Sequence, residues 1–308
     1  AVEEVALTLS NALQYTRSAI GTGLDVDDFA PRMSFFFSSH NDLMEEVAKF
    51  RAARSLWHEL VQAEFQPANP RSSQLRFHTQ TAGVTLTAQQ PLNNAVRVAY
   101  QALSAVLGGT QSLHTNSFDE AIGLPTEESA KIALRTQQII AEETGVANTV
   151  DPMAGSYLIE EMTSRIISEA NAMIEKIDSQ GGALECIKSG LLQKMIHDSA
   201  WKNLQEIESG EIGVVGVNSY LEEEEASIIT QKLDAEGVQA RIAALSEYRS
   251  NRDQDSVTAA LKSLERACSE GENVMEPMIE SVKIGATIGE VNEVLRSVFG
   301  VWTSPSGV

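Results

Sequence analysis

Apolar positions change period several times along the chain, and each change marks an element. In the first 22 residues Val2, Val5, Leu9, Ala12, Leu13 and Ile20 recur at near-helical spacing, and Gly21 and Gly23 end the run. That pattern predicts an amphipathic helix. Residues 33–38 hold three consecutive Phe, which predicts a short strand covered on both faces, closed by Ser38, Ser39, His40 and Asn41. The stripe Leu43, Val47, Phe50, Trp57, Val61 predicts a helix over 42–63. From Leu75 the pattern alternates: Leu75, Phe77 and Thr79 on one side, Arg76, His78 and Gln80 on the other. This predicts a strand over 74–80, running into an uncharged stretch of Thr, Ala, Gly and Gln up to Pro91. Residues 92–107 are mostly small and apolar and predict a well-buried helix. A third strand is expected at 111–115. Its helix opens after Pro125 with Thr126 as cap and Glu127 and Glu128 in the first turn, where the dipole favours acids.

Three strand–helix units in succession imply a parallel sheet with right-handed crossovers. In such sheets ligands sit at the C-terminal ends of the strands. The polar clusters in 33–41, 75–91 and 111–120 are therefore assigned to strand ends and to one site. Three strands alone leave two bare edges, so further strands are expected from upstream sequence or another chain. The opening AVEEVALTLS lacks Met and starts within a helical pattern, which also leads us to expect upstream sequence. Beyond residue 150 helices are predicted near 157–178, 183–190, 193–208, 227–246, 253–269, 274–284 and 288–298. Residues 212–220 read as a strand or extended arm, although the two glycines of GVVGVN fit a turn equally well, and Glu222–Glu225 read as a solvated linker.

Composition narrows the chemistry. A net charge of −20 over 308 residues opposes nucleic-acid binding, although single arginines can still hold an anionic ligand. Two distant cysteines fit a reducing compartment, and no apolar run approaches the ~18 residues of a membrane span; a cytoplasmic location is expected. None of the five His has a partner at helical metal-ligand spacing. His40, His78 and His114 fall at the strand ends, whereas His58 and His197 fall on helices. A hydrolase using Ser34 or Ser112 is a rival reading, but no GxSxG elbow occurs. The strand ends carry Ser34, Thr79, Gln80, Gln89, Gln90, Gln111, Ser112, Thr115 and Asn116, with Arg32 and Arg76 beside them. Neutral amides and hydroxyls orient a carbonyl and exclude water, but do not readily transfer protons. They suit a cofactor that brings its own reactivity, or plain binding of an amide-rich ligand.

The runs PRMSFFFSSHNDLMEEVAKFRAAR, LRFHTQTAGVTLTAQQPLNN, GGTQSLHTNSFDEAIGLPTEESAKIALRTQ, VDPMAGSYLIEE, VVGVNSY and GENVMEPMIESV spread over nearly all of the chain. In these runs it resembles the catalytic chain of the adenosylcobalamin-dependent acyl-CoA mutases, closest to the methylmalonyl-CoA mutase group. The resemblance implies an α/β fold: the last three βα units of a TIM (β/α)8 barrel in residues 1–146, then a mainly helical extension in 147–308. The N-terminal barrel strands would be absent. It implies a radical rearrangement interconverting methylmalonyl-CoA and succinyl-CoA, begun by homolysis of the cobalt–carbon bond, with isobutyryl-, 2-hydroxyisobutyryl- or ethylmalonyl-CoA as alternative substrates. A non-catalytic scaffold descended from the family is a further alternative.

By the same resemblance, Arg32 and Ser34 match residues that hold coenzyme A, and Phe36 an aromatic of the acyl pocket. Gln80 matches a catalytic Gln between substrate and cofactor, with His78 beside it. Gln111 and Ser112 match polar substrate contacts. Gly83, Glu120 and Gly123 match positions against the corrin or adenosyl group, Gly123 standing where relatives often carry Ala. The family's cobalt-ligating DxHxxG motif does not occur. Adenosylcobalamin is thus expected to be carried by a cobalamin-binding domain or small subunit. The other implied partners are the upstream barrel half and a G-protein chaperone, and the chain alone is expected to be inactive.

Overall fold

The computed structural model describes residues 1–222, 231 and 234–305. Its order is α1 (Val2–Gly21), α2 (Val26–Phe29), β1 (Phe35–Ser39), α3 (Leu43–Glu64), β2 (Phe77–Thr81), α4 (Asn93–Leu107), β3 (Ser112–His114), α5 (Glu127–Glu143), α6 (Tyr157–Ser179), α7 (Gly182–Lys188) and α8 (Leu191–Ser209), then α9 (Ala235–Asn251), α10 (Gln254–Glu270), α11 (Met275–Ile284) and α12 (Ile288–Phe299). The protein is an α/β chain, mostly helical, with a three-stranded parallel sheet of order β1-β2-β3. It separates into two compact units, one of residues 1–231 with 305–308 and one of 232–304.

In the first unit the outer sheet face is the core. Phe35, Phe37, Leu75 and Phe77 pack against Val5, Leu9 and Leu13 of α1, Phe50, Leu56 and Trp57 of α3, and Ile166, Ala170 and Ile174 of α6. The aromatic rings interlock: Phe37 meets Phe77 edge-on with centroids 5.6 Å apart, and Phe50 stacks on Phe77 at 5.3 Å. Ion pairs tie the helices outside the core. Arg17 of α1 reaches Glu64 at 2.7 Å and Asp178 at 2.8 Å, joining α1, α3 and α6. Thr126 is the cap that the sequence predicts, accepting from the Ser129 N–H at 3.2 Å, and Asp42 caps α3 by accepting from the Glu45 N–H at 3.1 Å.

Three expectations change. The segment 212–220 is neither strand nor arm but a tight turn with a single Val215–Ser219 bridge. It is pinned by Asn218, whose Oδ1 accepts from the Val214 N–H at 2.6 Å while its Nδ2 donates to the Ile207 and Ile212 carbonyls. The helix predicted over 227–246 is α9, starting at Ala235; residues 223–230, 232 and 233 lie outside the described residues, as does most of the Glu222–Glu225 run. Finally, α4 is not an apolar helix in an apolar bed. Val96 is exposed, whereas Asn94, Arg97, Gln101 and Ser104 are buried.

The second unit has its own small core of Val257, Leu264, Cys268, Ala286 and Val291. Thr287 and Glu290 form a capping box at the start of α12, and Arg252 donates to Glu290 at 2.8 Å. No described helix is long and apolar enough to cross a membrane.

Candidate functional site on the open sheet face

The site lies on the sheet face turned away from the helices. Strand register sets its rows: Phe36, His78 and Ser112 are partners across the sheet, and so are Ser38, Gln80 and His114. Their alternate neighbours, Phe35, Phe37, Ser39, Phe77, Thr79 and Thr81, are buried, but this face is not. Phe36 is 56% exposed. A face of Ser, His, Gln and one Phe leaves room for a polar ligand. In the first row Phe36 and His78 stack at a tilt, ring centroids 5.3 Å apart, and His78 Nδ1 hydrogen-bonds the Ser112 hydroxyl. The predicted site residues are therefore spread along the strands rather than gathered at their C-terminal ends, because period-two alternation lines one face from end to end.

At the C-terminal end, Gln80 Nε2 donates to Asn116 Oδ1 at 2.9 Å, and the Asn116 N–H donates to Thr81 Oγ1 at 2.9 Å. Asn116 Nδ2 is buried with no partner among the described residues. A Cβ on Gly83 would lie 2.6 Å from that Nδ2 and 3.4 Å from the Glu120 side chain. Gly83 thus packs directly against the Asn116 amide, whose Nδ2 is an unused donor, beside the exposed Glu120 carboxylate. Gly123 follows in the same loop, exposed, with its N–H on the Asp119 carbonyl at 3.1 Å.

Arg32 and Ser34 lie at the opposite end, just before β1, both exposed. Arg76 braces them: its guanidinium donates to the Pro31 carbonyl and, at 3.3 Å, to that of Met33. Arg32 itself forms no ion pair among the described residues and is free to meet an anion. Gln111 precedes β3, and its amide is engaged by the backbone: Oε1 accepts from the Phe77 N–H at 2.7 Å and Nε2 donates to the Gly109 carbonyl at 2.7 Å.

Sequence reasoning missed two supporting sets. The first is a buried charge cluster under β1. Lys49 Nζ, wholly buried, donates to Glu4 at 2.6 Å, Glu46 at 2.5 Å and the Ser38 carbonyl at 2.7 Å, while Glu4 accepts from the Ser38 N–H at 2.8 Å. Both backbone groups of Ser38 point away from β2, so this β1 edge is capped at its C-terminal end rather than bare. Burial pushes the Glu46 carboxyl up, and Lys49 opposes that shift. The second set is the buried polar stripe of α4. Its 94, 97, 101 spacing is legible as one helix face, but polar residues at that spacing ordinarily mark a solvated face.

The family model for methylmalonyl-CoA mutase matches residues 1–301. The chain is 45% identical over 300 residues to the methylmalonyl-CoA mutase of Cereibacter sphaeroides, covering 97% of this chain and 42% of that protein. It is 45% identical over 308 residues to the methylmalonyl-CoA mutase of Escherichia coli K12, covering 99% and 43%. To the 2-hydroxyisobutanoyl-CoA mutase large subunit of Aquincola tertiaricarbonis it is 44% identical over 303 residues, covering 98% and 54%. The chain thus spans about half or less of the length of these relatives. A match over nearly the whole chain, together with relatives this similar, establishes that the chain belongs to the methylmalonyl-CoA mutase family.

Proposed function

We propose that this chain supplies one wall of the active site of a cobalamin-dependent acyl-CoA mutase, an isomerase that interconverts methylmalonyl-CoA and succinyl-CoA. The observation that carries the reading is the open, polar face of a parallel sheet, with Arg32, which forms no ion pair among the described residues, at one end and Gly83, packed on Asn116 beside Glu120, at the other. Residues 1–146 correspond to the last three βα units of a (β/α)8 barrel, and residues 147–308 to a helical extension. The outer edge of β3 and the N-terminal part of the β1 edge accept the remaining strands.

Arg32 and Ser34 hold the coenzyme A moiety, where the Arg32 guanidinium offsets phosphate charge in an otherwise acidic chain. Phe36 lines the acyl group, and His78 and Ser112, already hydrogen-bonded to each other, orient the thioester. Gln111 supports this row from beneath through its bond to the Phe77 N–H. Gln80 sits between acyl group and cofactor and excludes water.

The residues fit adenosylcobalamin. Gly83, having no side chain, would let a planar ring approach the backbone, and Asn116 Nδ2 and the Glu120 carboxylate would offer it an unused donor and an acceptor. Gly123 belongs to the same loop. When bound, the cofactor supplies the radical that starts the rearrangement. Its cobalt ligand comes from a cobalamin-binding domain or small subunit; the large-subunit name of the A. tertiaricarbonis relative favours a partner of that kind. That relative also keeps 2-hydroxyisobutanoyl-CoA open as substrate. A cytoplasmic location and a G-protein chaperone belong to the same proposal.

Calorimetric titration of the completed barrel with methylmalonyl-CoA tests the reading. Arg32→Ala should weaken binding roughly tenfold or more, the loss expected for a charge-assisted bond. Unchanged affinity would remove Arg32 from the site, and no binding by the unsubstituted barrel would overturn the reading.

A further inference from the structure

We propose that the buried polar spine of α4, Asn94–Arg97–Gln101, is the positioning device for all three loops at the C-terminal end of the sheet, and that the Val214–Ser219 turn is its outer anchor. The three residues are 0%, 7% and 0% exposed. They lie at i, i+3 and i+7 of one helix and so share a face. All three bond the loop after β2, and each also reaches one further segment. Gln101 Nε2 donates to Asn41 Oδ1 after β1, at 2.6 Å, and to Thr85 Oγ1 after β2, at 2.7 Å. Asn94 Nδ2 donates to the Thr87 carbonyl at 2.8 Å and to the Phe118 carbonyl after β3 at 2.9 Å, while its Oδ1 accepts from the Thr87 N–H at 3.1 Å. One amide therefore joins the loop that carries Gly83 to the loop that carries Asn116 and Glu120.

Arg97 explains why the spine is polar. Its guanidinium is buried without a carboxylate partner among the described residues. It donates instead to Thr87 Oγ1 at 3.0 Å, Asn94 Oδ1 at 2.8 Å and the Val215 carbonyl at 2.7 Å. A buried cation without a counter-charge is costly and would be replaced readily by an apolar side chain if packing were its only use. A rigid fork that fixes three acceptors at once suits placement. The third acceptor lies 118 residues away in sequence. A second bond clips the same turn down, from Gln90 Nε2 to the Tyr220 carbonyl at 2.9 Å, and a Cβ on Gly216 would meet Gln90 at 3.2 Å. The segment VVGVNSY thus holds the loops from outside, through Arg97 and Gln90.

The clamp stands on these contacts alone; only its bearing on cobalamin rests on the function proposed above. Asn218→Ala releases the turn without touching the spine, and Arg97→Lys keeps the charge but loses the fork. Amide hydrogen exchange on the full 308-residue chain reads the coupling at Thr87, whose N–H is bonded, among the described residues, to Asn94 alone. In both variants Thr87 should exchange roughly tenfold faster, the effect of losing one well-placed buried hydrogen bond, with Phe37 and Leu56 in the core unchanged. Thr87 exchange unchanged in Arg97→Lys would overturn the proposal, and so would equal acceleration at Thr87, Phe37 and Leu56, which is the mark of plain destabilisation. In the completed enzyme Arg97→Lys should raise the adenosylcobalamin concentration for half-maximal rate about tenfold, while the KM for acyl-CoA, governed at the Arg32 end, stays the same. Equal change in both would overturn the loop-specific role. If the exchange result holds and no turnover is seen in any form, the mutase reading fails and the clamp survives.

Discussion

The Gln80 side chain donates to Asn116 Oδ1 across 2.9 Å, and Asn116 in turn lies where any side chain at position 83 would have to go. The orientation of the Gln80 amide is thereby tied to the absence of a Cβ on Gly83. Gly83→Ala must push Asn116 aside, and Asn116 is held by both Gln80 and Thr81. The substitution should cost about 1–3 kcal/mol by overpacking, read as a shift of the denaturation midpoint. It should also cut turnover of the completed enzyme out of proportion to that loss. A stable, fully active Gly83→Ala variant would separate the two residues' roles.

Gln80→Ala should lower kcat of the completed enzyme roughly a hundredfold, the scale expected when a positioned group is lost, and leave the chain's thermal midpoint nearly unchanged. The Gln80 side chain is half-buried and makes a single bond among the described residues. Equal loss of kcat and stability, measured by steady-state kinetics beside calorimetry, would give Gln80 a structural role only.

Lys49→Met strands two carboxylates beneath β1. Breaking a buried pair from one side costs about 3–5 kcal/mol. The cost should depend on pH with a definite sign. Glu46 already sits above the ordinary value because it is buried, and loss of Lys49 removes the group that opposes that shift. A carboxyl raised in the folded state binds more protons folded than unfolded, so stability falls as pH rises above its unfolded value of 4.5. The defect of Lys49→Met should therefore shrink between neutral pH and pH 5 and widen toward pH 8, as denaturant titrations at each pH would register.

Glu290 has the opposite sign. Hydrogen bonding from Arg252 holds its carboxyl well below the usual range, and the Thr287 backbone assists. Its contribution is full above the ordinary value of 4.5 and is lost as pH falls through its depressed one. Unfolding of residues 232–304 should become easier in acid. Glu290→Gln should be less stable at neutral pH and nearly indifferent to acid, by circular dichroism melts across that range.

The order of elements was legible because helix and strand periods differ sharply around 33–38 and 75–80. The two faces of β2 followed from alternation alone. Other features were hidden because they depend on where side chains meet. Lys49 and Glu46 lie in the charged run EEVAK of α3, yet both are buried, where Lys49 reaches the Ser38 carbonyl of β1. Asn94 and Arg97 lie in a helix that the sequence marked only as small, apolar and buried, although they bond the loops at Thr87 and Phe118. The turn at 214–219 was one of the readings its two glycines allowed, but the sequence did not show that Asn218 bonding back to Ile207 would fix it. Of the site residues, Phe36, His78, Gln80 and Ser112 share the open face, whereas the Gln111 amide turned out to be committed to the backbone of β2.

The most direct measurement is turnover. The chain, completed with the remaining barrel strands and a cobalamin-binding domain or subunit and loaded with adenosylcobalamin, is assayed for conversion of methylmalonyl-CoA to succinyl-CoA, with 2-hydroxyisobutyryl-CoA in parallel. Isomerisation that requires adenosylcobalamin and collapses in Gln80→Ala is the predicted result. An assembled complex that binds both acyl-CoA and cobalamin yet isomerises neither substrate would contradict it.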